Sequence, residues 1–195
     1  MVKVGHKEIK VFKRYISIGI IFLLASCATN YASRSADDIA LATIIKDSDF
    51  DSQRRFTAPP IIIKESRGML FVDFLYPRLR AFQDKSTSLF SYQLYIAITY
   101  TGDRRSYKWA SLIGGEDVLL DRVSSKVDNC AGIACQFTEV VIMQLPDLRP
   151  VNAAFQVRIN ASSGHENIIT VPMHYFEGFF AALDKFSTSQ WKKKV

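Results

Sequence analysis

Histidine is scarce in this chain: three among 195 residues, His6, His165 and His174. So little imidazole leaves few candidates for a general base or a metal ligand. The motifs that would organise such chemistry are also missing. No G-x-S-x-G elbow nominates a serine nucleophile, and His165-Glu166 is followed by Asn167-Ile168-Ile169, which is not the H-E-x-x-H of a zinc helix. Gly114-Gly115 precedes Glu116-Asp117 rather than the lysine of a phosphate loop. Asp47, Asp49 and Asp51 begin like a calcium loop, but its sixth position is Ser52 instead of glycine and its twelfth is Ala58 instead of glutamate. These gaps nominate no catalytic residue, no metal site and no cofactor. No internal repeat marks a solenoid or a propeller. The apolar run from Ile16 to Ala25 is too short to serve as a permanent membrane span.

What is present begins with that run. Lys3, Lys7, Lys10, Lys13 and Arg14 precede it, and Leu24-Ala25-Ser26-Cys27 closes it. Ala25 and Ser26 are small enough for a peptidase to reach the bond before Cys27, whose thiol can accept an acyl group. The arrangement resembles the type II signal peptide, or lipobox, of bacterial lipoproteins. The resemblance implies that residues 1–26 are removed and that Cys27 becomes the acylated first residue, held in a membrane by several acyl chains. Ala28 rather than aspartate follows the cysteine. The family rule then implies the outer membrane of a Gram-negative envelope, facing the periplasm.

Charge and cysteine usage fit that address. Residues 1–26 carry five basic side chains and one acidic one, Glu8, so their removal takes the formal charge from +6 to +2. A nucleic-acid partner loses its main support, because most of the excess base lies in the signal. With Cys27 committed to lipid, Cys130 and Cys135 remain as a pair in an oxidising compartment and are expected to form a disulfide. Four residues separate them, so the bridge pins a turn and contributes only about 2 kcal/mol in the chain-entropy picture. A redox pair would use the closer C-x-x-C spacing.

About 169 residues then remain, enough for one domain with a proper core. Residues 27–60 are polar and small and end in Pro59-Pro60, which suits a tether, with a short helix over 36–46 capped by Ser35. The acidic stretch of Asp47, Asp49 and Asp51 reads as a solvated linker. Residues 61–195 form the domain. Phe90, Tyr92, Leu94, Ile96, Ile98 and Tyr100 alternate with Ser91, Gln93, Ala97 and Thr99, the period of a half-buried strand. Phe137 to Leu145 alternates too but is apolar on both sides, as a central strand is. Phe155 to Ala161 is a third clear case, and shorter strands are expected at 70–76, 107–113, 118–123 and 167–171. Turn chemistry at Thr101-Gly102-Asp103, Gly114-Gly115, Pro146-Asp147 and Ser163-Gly164 separates them. The fold class expected is mainly β: an antiparallel, immunoglobulin-like sandwich or an open barrel.

A C-terminal amphipathic helix over about 172–186 follows, with Tyr175, Phe176, Phe179, Phe180, Leu183 and Phe186 on one side. That stripe packs on the sheet or meets a membrane surface, with Trp191 and the basic tail Lys192-Lys193-Lys194 beyond it. Ile169-Thr170-Val171-Pro172 through Gly178-Phe179 is similar to the tails of small uncharacterised proteobacterial envelope proteins, which carries no function across.

The function expected is a non-enzymatic interaction, assembly or structural module, anchored to the membrane through Cys27 and serving another envelope protein. Two alternatives compete. Glu139 shares a strand face with Phe137, Val141 and Met143, where burial suits a carboxylate for proton transfer on a glycan or peptide. The stronger reading places it at the strand's exposed end beside the cysteine loop, or in a pair with Arg122 or Arg158. Aromatics such as Tyr92, Tyr95, Tyr100, Tyr107 and Trp109 would line a ligand groove or simply fill the core, and a β barrel can carry a small apolar ligand. Solvent exposure accounts for His165 and His174.

Overall fold

A computed structural model describes residues 29–67, 71–131, 134–146 and 154–193. The signal segment and Cys27 lie outside the described residues, as do the centre of the cysteine turn and most of the Pro146-Asp147 turn. The chain is mainly β, with two antiparallel sheets that do not close into a barrel and a C-terminal helix.

Two long strands organise the larger sheet. β4 (Phe71–Asp84) and β5 (Phe90–Gly102) pair from Phe74 with Thr99 to Gln83 with Phe90. Their alternation is strict: Leu75, Pro77, Leu79, Ala81, Leu94, Ile96 and Ile98 are buried, and the residues alternating with them half-buried. On the far side of β5 lies β9 (Ala134–Leu145), and beyond it β8 (Asp121–Ala131) forms the edge. Cys130 and Cys135 stand opposite each other where this last pair joins, bonded as a disulfide with Cα atoms 4.0 Å apart.

β4 is long enough to take two short strands end to end along its other side. β2 (Gln53–Thr57) pairs with its residues 80–84 and β3 (Ile63–Arg67) with its residues 71–75. Pro77 falls in the gap between them. Its carbonyl accepts from Ile61 N at 2.9 Å on that side, so its missing N–H costs no bond to β5. The strand expected to stop at Tyr76 therefore runs eight residues further.

The segment expected as a tether is part of the domain. Ser35 caps α1 (Ala36–Ala42) by accepting from Asp38 N at 3.2 Å, but the helix stops at Ala42, short of the expected 46. The β-branched Thr43-Ile44-Ile45 run favours extension, and β1 (Ile44–Lys46) pairs with β2 at the edge of the large sheet. Asp47 is not a solvated linker residue: it meets Arg54 at 2.8 Å and Lys85 at 2.9 Å.

The smaller sheet runs β11 (Glu166–Val171), β10 (Phe155–Ala161), β6 (Tyr107–Leu112) and β7 (Asp117–Leu119). Gly114 and Gly115, both at positive φ, make the turn from β6 to β7. Residues 118–123 are not one strand. The chain leaves the small sheet after Leu119 and enters the large one at Asp121, passing through Leu120, which is buried between them.

α2 (Met173–Lys193) completes the layer facing the large sheet. Phe180 meets Tyr92 edge-on at 5.8 Å, Phe186 meets Phe56 at 5.4 Å, and Phe176 meets Phe155 at 6.1 Å. Tyr175 is wholly buried, donating to Pro59 O at 2.6 Å and accepting from Leu79 N. The apolar stripe is thus spent on the core and not on a membrane surface. Among the described residues no helix is long and apolar enough to cross a membrane.

Candidate functional site

Glu139 projects from β9 into the space between the sheets and has no exposed surface. Three donors converge on it. Ser106 N reaches Oε1 at 3.0 Å, Tyr107 N reaches Oε2 at 3.2 Å, and the Tyr100 hydroxyl also donates to Oε1. Ser106 supplies the local geometry, because its φ of 57° turns two consecutive amides toward one point. Such a nest of N–H groups binds an anion, and here the anion is the protein's own carboxylate. A non-glycine residue in that conformation costs of order 1–3 kcal/mol and persists where its surroundings require it. Glu139 pairs with neither Arg122 nor Arg158; the latter meets Glu166 at 3.5 Å on the surface.

A second carboxylate, Asp73, lies on the inner face of β4, equally buried. Arg105 grips it with two nitrogens, Nη1 to Oδ2 at 2.5 Å and Nη2 to Oδ1 at 2.9 Å, and Arg67 Nε reaches Oδ2 at 2.6 Å. Burial pushes the Asp73 carboxyl up, but its bonds and charges to Arg105 and Arg67 outweigh that and hold it below the usual value. Arg105 also lies over the Tyr100 ring at 4.1 Å, and its backbone N donates to the Tyr100 hydroxyl at 2.9 Å. The cluster reaches the small sheet through Tyr107, which donates to Asn167 Oδ1. Asn167 in turn donates to Glu65 Oε2 at 2.5 Å. Burial, with Glu139 beside it, raises Tyr100 above the usual phenol range; Tyr107 is raised chiefly by burial.

These residues close one end of the sandwich, since each oxygen that a substrate would need is already bonded within the protein. Both carboxylates lack exposed surface and Arg105 keeps only 3%. The arrangement fixes the β5–β6 connection against both sheets; it offers no surface for glycan or peptide cleavage by Glu139. Replacing Glu139 with glutamine sets an NH2 against one of the two backbone donors. The variant is expected to lose about 1–3 kcal/mol of stability in denaturant unfolding, and an unchanged midpoint would contradict this placement.

The other expected residues scatter. His165 is half-buried with Nδ1 3.2 Å from Ser163 Oγ; burial, then Arg105 and Arg67, lowers its pKa. His174 is not free in solvent, because its Nε2 lies 3.1 Å from Ala32 O. Tyr92, Tyr100 and Tyr107 belong to the core, and only Tyr95 and Trp109 of the named aromatics keep part of their surface. Among the described residues no group of three or more His, Cys, Asp or Glu is placed to hold a metal ion.

The outer face of the large sheet has a different character. Arg78 and Arg80 project from β4 and Arg55 from β2, with Arg80 Cζ 3.6 Å and Arg78 Cζ 5.1 Å from the centre of the Tyr95 ring. Burial, with Arg78 and Arg55 close by, lowers the Arg80 guanidinium from its ordinary value. The Nε atoms of Arg78 and Arg80 have no hydrogen-bond partner. Among the described residues none of the three arginines has a carboxylate in ion-pair range. Beside them Lys46, Asp51, Ser52, Gln53, Arg55 and Phe82 line a shallow groove of about 430 Å³. This face leaves no signal in the sequence, because the strand that carries Arg78 and Arg80 is expected to end before them. Comparison with protein-family models, curated proteins and solved structures returned no match.

Proposed function

We propose that this chain is a lipid-anchored envelope protein without catalytic activity, acting as an interaction, assembly or structural module at the periplasmic face of a Gram-negative outer membrane. The observation that carries the reading is Leu24-Ala25-Ser26-Cys27 behind an apolar run and five basic residues. Two structural features support it. The carboxylates buried between the sheets are saturated by the protein's own donors, and Arg55, Arg78 and Arg80, without carboxylate partners among the described residues, keep part of their surface on an open sheet face where a macromolecule can meet them. The disulfide between Cys130 and Cys135 agrees with an oxidising compartment.

Metabolic labelling of the full-length chain with a fatty acid tests the anchor. The label is expected on Cys27 of a product shortened by residues 1–26, and Cys27→Ser is expected to leave an unlabelled, full-length precursor. A mature-sized product from that variant would overturn the reading. Crosslinking in the same membranes addresses the module: a partner at near-equal amount, seen only with Cys27 intact, is the expected result.

A further inference from the structure

We propose that the arginine face of the large sheet lies directly on the anionic phospholipid headgroups of the membrane holding Cys27, with almost no tether between anchor and domain. The inference rests on the lipidation reading and adds an orientation to it.

The first observation is how early the chain becomes fixed. Asn30 Nδ2 donates to Ile62 O at 3.0 Å, and Asn30 Oδ1 accepts from Ile62 N at 3.0 Å. Its side chain thus satisfies both polar groups of one residue, as a neighbouring strand would. Asn30 Oδ1 also accepts from Ala32 N at 3.1 Å, and Ala32 O contacts His174 on α2. Only Ala28 and Thr29 separate Cys27 from Asn30, and three Cα steps reach at most roughly 11 Å. A lipid on Cys27 therefore holds the domain against the bilayer.

The second observation is where that fixed point lies. Ile61 N bonds Pro77 O, so residues 61 and 62 run beside the middle of β4. Pro77 points inward and its neighbour Arg78 outward. The anchor accordingly leaves the domain from the sheet edge that flanks Arg78.

The third is charge. α2 and the small sheet cover the inner face of the large sheet, while Arg55, Arg78 and Arg80 remain half-exposed on the outer face without carboxylate partners. Guanidinium groups match phosphate oxygens in forked pairs, and Arg55, Arg78 and Arg80 each keep part of their surface open on this face. Tyr95 beneath them is a ring suited to the headgroup layer. A face with this charge attracts an anionic leaflet held within a few ångströms of it.

The test uses the full-length lipidated protein in vesicles of phosphatidylcholine with or without phosphatidylglycerol. A fluorophore is placed through Ser91→Cys on the outer face of the large sheet, or through Thr170→Cys on the outer face of the small one. With Cys27 acylated and Cys130 bonded to Cys135, the introduced thiol is the single reactive one. With phosphatidylglycerol present, a nitroxide on lipid headgroups is expected to quench the label at 91 several-fold more than the label at 170. Omitting phosphatidylglycerol should shrink that ratio, as should Arg55→Glu, Arg78→Glu and Arg80→Glu together. Arg78→Gln with Arg80→Gln, a milder pair, should shrink it too if the triple variant fails to fold. Equal quenching at the two positions, or a ratio indifferent to the arginines, overturns the orientation while leaving the anchor standing. A mass spectrum of the same preparation with unmodified Cys27 overturns the anchor, and the orientation with it.

Discussion

Replacing Asp73 with alanine is expected to lower the free energy of unfolding by about 3–5 kcal/mol, measured as a shift of the urea midpoint at neutral pH. The size follows from what stays behind. Arg105 keeps its charge with only 3% of its surface exposed, and both nitrogens that grip Asp73 lose their acceptor. Arg67 suffers less because about a third of its side chain is exposed and can turn to water. Removing the charge from both ends, with Asp73→Leu and Arg105→Met, is expected to recover most of the loss, since a buried ion pair is frequently no more stabilising than apolar groups of similar volume. A loss below about 1 kcal/mol in the single variant would mean that water reaches the cluster.

The same pair sets a pH dependence. The folded state holds the Asp73 carboxyl below its ordinary value of 3.8. Its contribution is therefore complete above that value and disappears as pH falls through the lower folded-state value. Urea midpoints of the unsubstituted protein should fall steeply below about pH 4, and those of Asp73→Ala less steeply over that interval. Parallel curves would assign the acid sensitivity to other carboxylates.

The second large effect belongs to Gly178, inside α2. A Cβ there would stand 2.3 Å from Ala36 O and 2.8 Å from Ile39 Cβ, so α1 crosses α2 at a distance only glycine permits. The obstacle is a backbone carbonyl, which cannot swing aside as a side-chain tip does. On helix propensity alone Gly178→Ala should stabilise by about 1 kcal/mol. We expect instead a net destabilisation of about 2 kcal/mol from overpacking, with faster proteolysis between Arg34 and Lys46 as α1 lifts and Ile39 loses its burial. A stabilised variant would show that α1 can withdraw without cost.

How much of this was legible in the residues depended on which force made each element. β5, β9, β10 and the stripe of α2 were readable because each buries its own apolar face, and burial writes a period into sequence. β1 and β2 were not. Gln53-Arg54-Arg55-Phe56-Thr57 holds one core residue, and the strand exists because β4 offers it an edge. Pro77 argued locally for an end to β4, and only the absence of a partner strand at that level makes it tolerable. Leu119 and Leu120 look alike in sequence, yet one is 81% exposed and the other buried where the chain changes sheets.

The polar cluster was half legible. Glu139 stood at an apolar position of an alternating strand, which marked it as unusual, and Asp73 between Phe71 and Leu75 carried the same mark. Their partners left none, because backbone amides at Ser106 and Tyr107 have no side-chain signature and Arg105 sits in a connection without periodicity.

β8, the free edge of the large sheet, slips register against β9 twice, between Arg122 and Ser124 and between Val127 and Asn129. Each slip leaves an unmatched residue, Val123 or Asp128, and bends the outward row of amides and carbonyls. Two molecules meeting side by side on a surface would find no straight ladder to extend. At the opposite edge β1 is only three residues long. Proteins confined to a membrane plane collide in few orientations and at high local density, conditions that turn an exposed flat strand into a seed for stacking. Irregular pairing at one rim of the large sheet and the short strands β1 and β3 at the other leave no long straight edge, so under the proposed membrane anchoring crowded copies would have little to join.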